Sequence, residues 1–278
     1  MVIVLTVKPF LVATMHPEIS IIMPCFNAEK FIESSIKSVL NQSFLNWELI
    51  VVDDKSSDNS AALINSLAKK DKRIIPVFLE VNHGGPGFPR NIGIGIARGK
   101  YTAFLDADDI WHQQKLELQM AFLEKYDVAM ISSEKSSFSD QIPPSIPLKY
   151  SELSVRKIVH RQLLFKNFIT NSSVMLKSEL LKKKKFNERI DYVAVEDYLL
   201  WLELHRDCFS FCLQIESALC FYRLNALGIS QSKVKMLKKV SHLLGEYRVN
   251  NKRLGLIKYF YLSTYVFFSF WKLLIRAK

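Results

Sequence analysis

Asp106, Asp108 and Asp109 crowd three carboxylates into four residues directly after the apolar run 101–105. At the end of a buried strand such groups repel one another where little water screens them. A hard cation resolves the conflict, because Mg²⁺ or Mn²⁺ takes one or two carboxylate oxygens and completes its shell with water and substrate phosphates. Asp109 taken alone has a second reading, as the cap of a helix starting near Trp111. Glu196-Asp197 is another acidic pair, placed where it could serve as a proton acceptor or simply favour the dipole of a helix N-terminus. Asp53-Asp54 and the loop 82–85, with Asn82, His83, Gly84 and Gly85, add further polar groups; a lone loop histidine such as His83 is assigned no role.

These residues need elements to position them, and the hydrophobic pattern supplies a regular alternation. Strands are expected at 19–23, 48–52, 74–79, 101–105 and 128–132, and helices at 29–42, from Ser57 or Asp58 to about 70, 89–97 and 111–124. Short apolar strands separated by amphipathic helices predict an α/β fold, a mostly parallel sheet with helices on both faces. In such sheets ligands bind beyond the carboxyl ends of the strands, where Pro24-Cys25-Phe26-Asn27, Asp53-Asp54, Asn82-His83 and Asp106-Ala107-Asp108 all fall. The first strand runs into Pro24 rather than a Gly-x-Gly-x-x-Gly turn, which argues against a dinucleotide-binding domain. Pro143, Pro144 and Pro147 mark 139–152 as a surface loop or a mobile crossing strap. A helix at 152–166, a strand at 172–176 and a helix within 191–206 complete the pattern.

The formal net charge of +11 is concentrated in the tail: residues 228–278 hold eleven Lys and Arg against Glu246 alone. The body before it is nearly neutral. Four cysteines show neither a Cys-x-x-Cys pair nor a zinc spacing, so they read as reduced core residues of a cytosolic compartment. Residues 1–14 are apolar but interrupted by Lys8 and Pro9, too short to span a bilayer and without a signal-peptide start. They are expected to lie outside the fold, with Met15 an alternative start.

Taken together, the segments 19–27, 51–60, 89–101, 104–111 and Glu196-Asp197 resemble a family 2 glycosyltransferase of the GT-A, Rossmann-like fold, of the inverting, bacterial surface-glycan type. The resemblance runs in order from about Ile19 to Arg223 and implies a transferase domain over 15–227. It implies that Pro24, Phe26, Asn27 and Asp54 hold the nucleobase and ribose of a nucleotide-diphosphate sugar, Asp54 accepting the imide N–H of uracil. Arg90 would approach the nucleotide or its diphosphate, Asp106 the ribose or metal-bound water, and Asp108 a Mn²⁺ or Mg²⁺ ion bridging the phosphates. Asp197 would be the base that takes the acceptor hydroxyl's proton, with Glu196 orienting it or meeting the acceptor. Two departures stand out: Pro89 precedes Arg90-Asn91 where alanine is usual, and Leu224-Asn225 follows Arg223 where some relatives carry a metal-proximal histidine.

The tail gives a separate expectation. Lys258 and Lys272 bracket an uncharged, aromatic-rich stretch at 259–271, shorter than the roughly twenty residues needed to cross a bilayer. Residues 228–278 are therefore read as a helical, basic and aromatic extension lying on an anionic membrane surface. The other reading is a helix packed on the protein's own core. Nucleic acid is not expected as a partner, because the aromatics cluster between the charges and no nucleic-acid motif is present. The reading that results is a metal-dependent transferase, peripheral on the cytoplasmic face of a bacterial plasma membrane, acting on a lipid-linked glycan. Alternatives are a polyprenyl-phosphate glycosyltransferase and a non-catalytic nucleotide-sugar binding protein docked on the membrane.

Overall fold

The computed structural model describes residues 16–139, 141–224 and 233–276. The expectation for residues 1–14 lies outside the described residues. The chain opens as β1 (Ile19–Cys25), α1 (Ile32–Leu40), β2 (Trp47–Asp53), α2 (Ser60–Lys70), β3 (Ile74–Phe78), α3 (Gly87–Ile96) and β4 (Tyr101–Phe104). These four strands are parallel, in the order β3-β2-β1-β4. Their carboxyl ends therefore share one edge, with Cys25 beside Asp53 and Ile22 beside Phe104. Both β1 and β2 are buried along their whole length, as expected of strands covered on both faces.

The second half holds β5 (Ile110–Trp111), α4 (Lys115–Tyr126), β6 (Met130–Phe138), β7 (Val155–Val159), α5 (His160–Phe165), β8 (Met175–Lys177) and α6 (Glu179–Lys183). It ends with α7 (Glu196–Asp207), β9 (Phe211–Arg223), α8 (Lys233–Glu246) and α9 (Ile257–Arg276). The sheet continues from β4 as β8-β6-β9-β5, with β7 also on β9. Here β8 runs antiparallel to both β4 and β6, β5 and β7 run antiparallel to β9, and β6 and β9 are parallel.

Alternate residues of one strand feed opposite faces. Ile19, Ile21 and Met23 face one core with Ile32, Ile36, Val39, Ile64 and Leu116. Ile22, Ile50, Val52 and Phe104 face a second core with Leu163, Leu199, Trp201, Val240, Leu243 and Leu244. Because α8 supplies three of those residues, the start of the basic tail closes the same core as the body. The helix α3 lies so close to the sheet that a Cβ on Gly93 would sit 2.7 Å from Ile22 Cγ2, and the turn after α3 brings Gly99 within 2.5 Å of Ser20 N on the same measure.

Three expected elements differ. Residues 111–114 are not helical: Ile110 and Trp111 pair with Phe221 and Cys220, and α4 begins at Lys115. Asp109 is therefore no helix cap; it is fully buried and accepts a hydrogen bond from Arg223 N at 3.0 Å. The expected helix at 152–166 is β7 followed by α5, because Val155–Val159 finds a ladder on β9 that local periodicity does not reveal. The expected strand at 172–176 is a 3₁₀ turn at Asn171–Ser173 followed by β8.

Candidate active site

The ends of β1 and β2 form one continuous polar rim. Asn27 adopts a left-handed backbone (φ +49°), a conformation that asparagine tolerates better than most residues. Its N–H donates to Ser56 Oγ at 2.9 Å and its Oδ1 accepts from Ser57 N at 2.8 Å. Asp53 in turn accepts from Ser56 N and Oγ at 3.0 and 2.6 Å, so it shapes this loop. Pro24 is buried at the strand end, while Phe26 presents an aromatic surface that is 52% exposed. Asp54 is buried beneath the rim. Its carboxylate accepts from His83 N at 3.0 and 3.1 Å and from Asn82 Nδ2 at 3.1 Å, and it lies 3.0 Å from His83 Nδ1. The His83 ring stacks on Phe88 with centroids 3.6 Å apart. His83, given no role from sequence, thus organises the loop facing Asp54.

The acidic loop beyond β4 is held from three directions. Asp106 N donates to Ser172 Oγ at 3.1 Å, and Ser35 Oγ donates to the Ala107 carbonyl at 2.7 Å. Arg223 Nε donates to the Asp108 carbonyl at 2.9 Å. Asp108 is only partly covered, yet burial and then neighbouring Asp106 push its carboxyl up to about 6. Asp109 is held well above the ordinary range by burial first and by Asp108 and Asp106 next. Its Oδ2 is buried without a hydrogen-bond partner.

Arg90 joins this loop to the N-terminus of α7. Its Nη2 donates to Asp106 Oδ1 at 2.7 Å and its Nη1 to Glu196 Oε1 at 2.6 Å. Burial by itself would lower the guanidinium's pKa, but Asp106 and Glu196 outweigh it and hold Arg90 firmly charged. Asn171 Nδ2 also donates to Asp106 Oδ1, at 3.2 Å. Glu196 Oε2 and Asn171 Oδ1 are buried and unpartnered, which leaves acceptor capacity facing this junction. Beside Glu196, Asp197 stays partly open and accepts from Tyr198 N at 2.6 Å. Burial, then Glu196, pushes the Asp197 carboxyl up to about 7, with Arg90 opposing. A carboxylate poised near neutrality is suited to taking a proton from a hydroxyl as that oxygen attacks.

Among the described residues no cluster of three or more His, Cys, Asp or Glu side chains is arranged to hold a metal. An ion carried on a diphosphate requires less, since one or two carboxylates with water and phosphate oxygens complete its shell. The partly open Asp108, whose ionisation its acidic neighbours resist, fits that role, because a cation would relieve the repulsion.

Arg90, Asp106, Glu196 and Asp197 thus converge on one junction from α3, the β4 loop and α7, with Asp108 on the same acidic loop. Pro24, Phe26, Asn27 and Asp54 line the adjoining rim. Sequence reasoning missed Asn171, Ser172 and the contacts of Arg223. Ser172 sits in a segment read as an ordinary strand and Asn171 just before it, and only the tertiary fold brings them to Asp106.

The chain matches the family described as "Glycosyl transferase family 2" over residues 20–183. It is 35% identical over 248 residues to the Escherichia coli "UDP-Glc:alpha-D-GlcNAc-diphosphoundecaprenol beta-1,3-glucosyltransferase WfgD", covering 89% of this chain and 92% of that one. Its fold is similar to S. aureus TarS 1–349 in complex with UDP-GlcNAc, with a TM-score of 0.68 and 20% identity, covering 90% of this chain and 71% of TarS 1–349. It is also similar to the mannosyltransferase PcManGT from Pyrobaculum calidifontis in complex with GDP-Man and Mn²⁺, with a TM-score of 0.60 and 18% identity, covering 93% of this chain and 76% of that one.

Proposed function

Because this chain belongs to glycosyl transferase family 2, we propose that it moves a hexosyl or N-acetylhexosaminyl group from a UDP-sugar, with inversion, to a hydroxyl of a lipid-linked bacterial surface glycan such as lipopolysaccharide, O-antigen or capsule. The observation that carries this reading is the Arg90 fork between Asp106 and Glu196, which joins the donor rim to the N-terminus of α7. On the donor side, Phe26 offers a face for the base, Asn27 and Asp54 its polar edge, and Asp106 the ribose. Arg90 supplies positive charge beside the diphosphate. Asp108 would hold the Mn²⁺ or Mg²⁺ ion, which when bound shields the charge of the leaving diphosphate. On the acceptor side Asp197 takes the hydroxyl proton while the oxygen attacks the anomeric carbon from the face opposite the leaving group. Inversion follows from that single displacement. Glu196, fixed by Arg90, orients the neighbouring base. The UDP and lipid-linked-acceptor parts draw support from the WfgD name and the UDP-GlcNAc bound to TarS.

The tail supports attachment at the inner face of the plasma membrane. On α9 and the turn before it, Leu256, Ile257, Tyr259 and Phe260 are exposed by 84, 59, 56 and 59%, close to the exposed Lys252 and Arg253. An apolar surface flanked by cations suits an anionic lipid interface. Among the described residues no helix is long and apolar enough to cross a membrane.

Calorimetric titration of nucleotide sugars, with and without Mn²⁺, into wild type and Asp108→Ala tests the donor site. One UDP-sugar is expected to bind in a metal-dependent way and to lose that binding in the variant. Absence of binding to every donor would remove the transferase assignment of these residues. A polyprenyl-phosphate acceptor needs no general base, so activity that survives Asp197→Asn would favour that alternative.

A further inference from the structure

Lys115 opens α4 with its side chain fully buried. Burial pushes the ammonium down to about 7. A cation is also unfavourable in the first turn of a helix, where the unpaired backbone N–H groups already carry positive partial charge. Methionine would fill a similar volume without either penalty. The reaction steps proposed above make no use of Lys115, so a reason for a charge at this position must come from what the ammonium touches.

Its Nζ donates to Gln119 Oε1 at 2.8 Å, one helical turn on, and stands 4.0 Å from the centre of the Trp111 ring. An ammonium has donors and no acceptor, so it admits only the oxygen end of the Gln119 amide. The NH₂ end must then point away, and Gln119 Nε2 donates to the Ser173 carbonyl at 2.7 Å. Trp111 Nε1 donates to the Ser172 carbonyl at 2.6 Å. Both buried donors thus grip the 3₁₀ turn Asn171–Ser173 from behind. On its other side the turn receives the Asp106 N–H at Ser172 Oγ, 3.1 Å away, and Asn171 Nδ2 donates to Asp106 Oδ1 at 3.2 Å. Arg90 meets the same Oδ1, and the Asp106 side chain keeps 30% exposure, so Oδ2 remains for a ligand.

We propose that Lys115, Gln119 and Trp111 are positioning residues for the donor site, acting through the Asn171–Ser173 turn to fix the backbone and carboxylate of Asp106. This rests on the donor reading of Asp106 given above. The charge of Lys115 serves to orient one amide. A glutamine without it can turn its oxygen towards the Ser173 carbonyl, where two acceptors repel and the turn loses a support.

Amide hydrogen exchange, read residue by residue by NMR in the full-length protein, compares wild type with Lys115→Met. The Asp106 amide is expected to exchange at least about tenfold faster in the variant, while the amides of β1 and β2 keep their rates. Unchanged exchange at Asp106 overturns the proposal. So does equal acceleration throughout, which is what a merely structural lysine would give. UDP, titrated in the presence of Mn²⁺, is expected to bind the variant at least about fivefold more weakly. Equal affinity despite a loosened Asp106 amide overturns the positioning role. In a Gln119→Met background, Lys115→Met is expected to change both readouts less than it does in wild type, because the relay is already cut. An equal further change would show that Lys115 does not act through Gln119. If Lys115→Met does not fold, Trp111→Phe, which keeps a ring and deletes the donor to Ser172, carries the same comparison. Failure of wild type to bind UDP marks failure of the donor reading, and the amide comparison, which needs no UDP, still decides the relay.

Discussion

In the role proposed for Asp197, one side chain is costly to the fold and useful to the reaction. Burial and Glu196 raise its pKa to about 7, so the folded protein holds this proton more tightly than the unfolded chain does. Stability therefore declines as pH rises from the ordinary carboxylate range to about 7, while the ionised base becomes available over the same interval. For Asp197→Asn we expect kcat to fall by roughly 10²–10⁴ with UDP affinity unchanged, as for loss of a general base. The variant's Tm is expected to exceed that of wild type at pH 8, with the gap shrinking near pH 5. In wild type, kcat/KM is expected to drop about tenfold per unit below pH 7. A flat profile there would remove Asp197 from the role of base. At this scale the sequence was informative wherever chemistry clusters in motifs: Asp106, Asp108, Glu196 and Asp197 were all legible. Asn171 and Ser172 were not, because an Asn-Ser pair has no local signature and gains its meaning from a loop 65 residues away.

At the scale of elements, the site depends on how closely α3 and its following turn approach the parallel strands. The turn is fastened by Glu48, which is buried in β2, accepts from Ser20 Oγ at 2.6 Å and forms a salt bridge of 2.6 Å with Arg98. Gly99 sits inside this arrangement, where a Cβ would meet backbone atoms of Ile19 and Ser20 at 2.5–2.8 Å. Backbone cannot rotate away as a flexible side chain can. Gly99→Ala should therefore destabilise by roughly 1–3 kcal/mol, read as a lower denaturation midpoint with unchanged m-value. An unaffected midpoint would show that the turn relaxes freely. The parallel half of the fold was readable because its strands are continuous apolar runs bounded by turn residues. Trp111 and Val155–Val159 were misread as helix because their pairing with β9 links residues up to about 110 positions apart, beyond any local period.

Across the whole molecule, α9 is divided between residues packed on the body and residues left exposed. Tyr261 and Leu262 pack against the second core, and Phe165 lies edge-on to Tyr261 at 5.0 Å, while Leu256, Ile257 and Tyr259 remain exposed. Replacing those three exposed residues with serine leaves the packed face untouched and is expected to reduce binding to anionic vesicles at least tenfold, measured by co-sedimentation. Equal sedimentation would place the membrane contact elsewhere or remove it. The division of the basic tail between core and surface was not legible in its composition, which reports how many charges it holds but not which helix face is already occupied.

The contribution of α8 to the second core also bears on how such enzymes can exchange parts. A natural or engineered crossover near residue 228 would separate Val240, Leu243 and Leu244 from the partners they were shaped against, so a hybrid joined there inherits a mismatched interior. A join placed after Tyr247 keeps Val240, Leu243 and Leu244 with their own partners and exchanges only the partly buried contacts that Val249, Leu254, Tyr261 and Leu262 make on that core. Swapping between relatives should therefore succeed at the second seam more often than at the first, whatever specificity each tail brings.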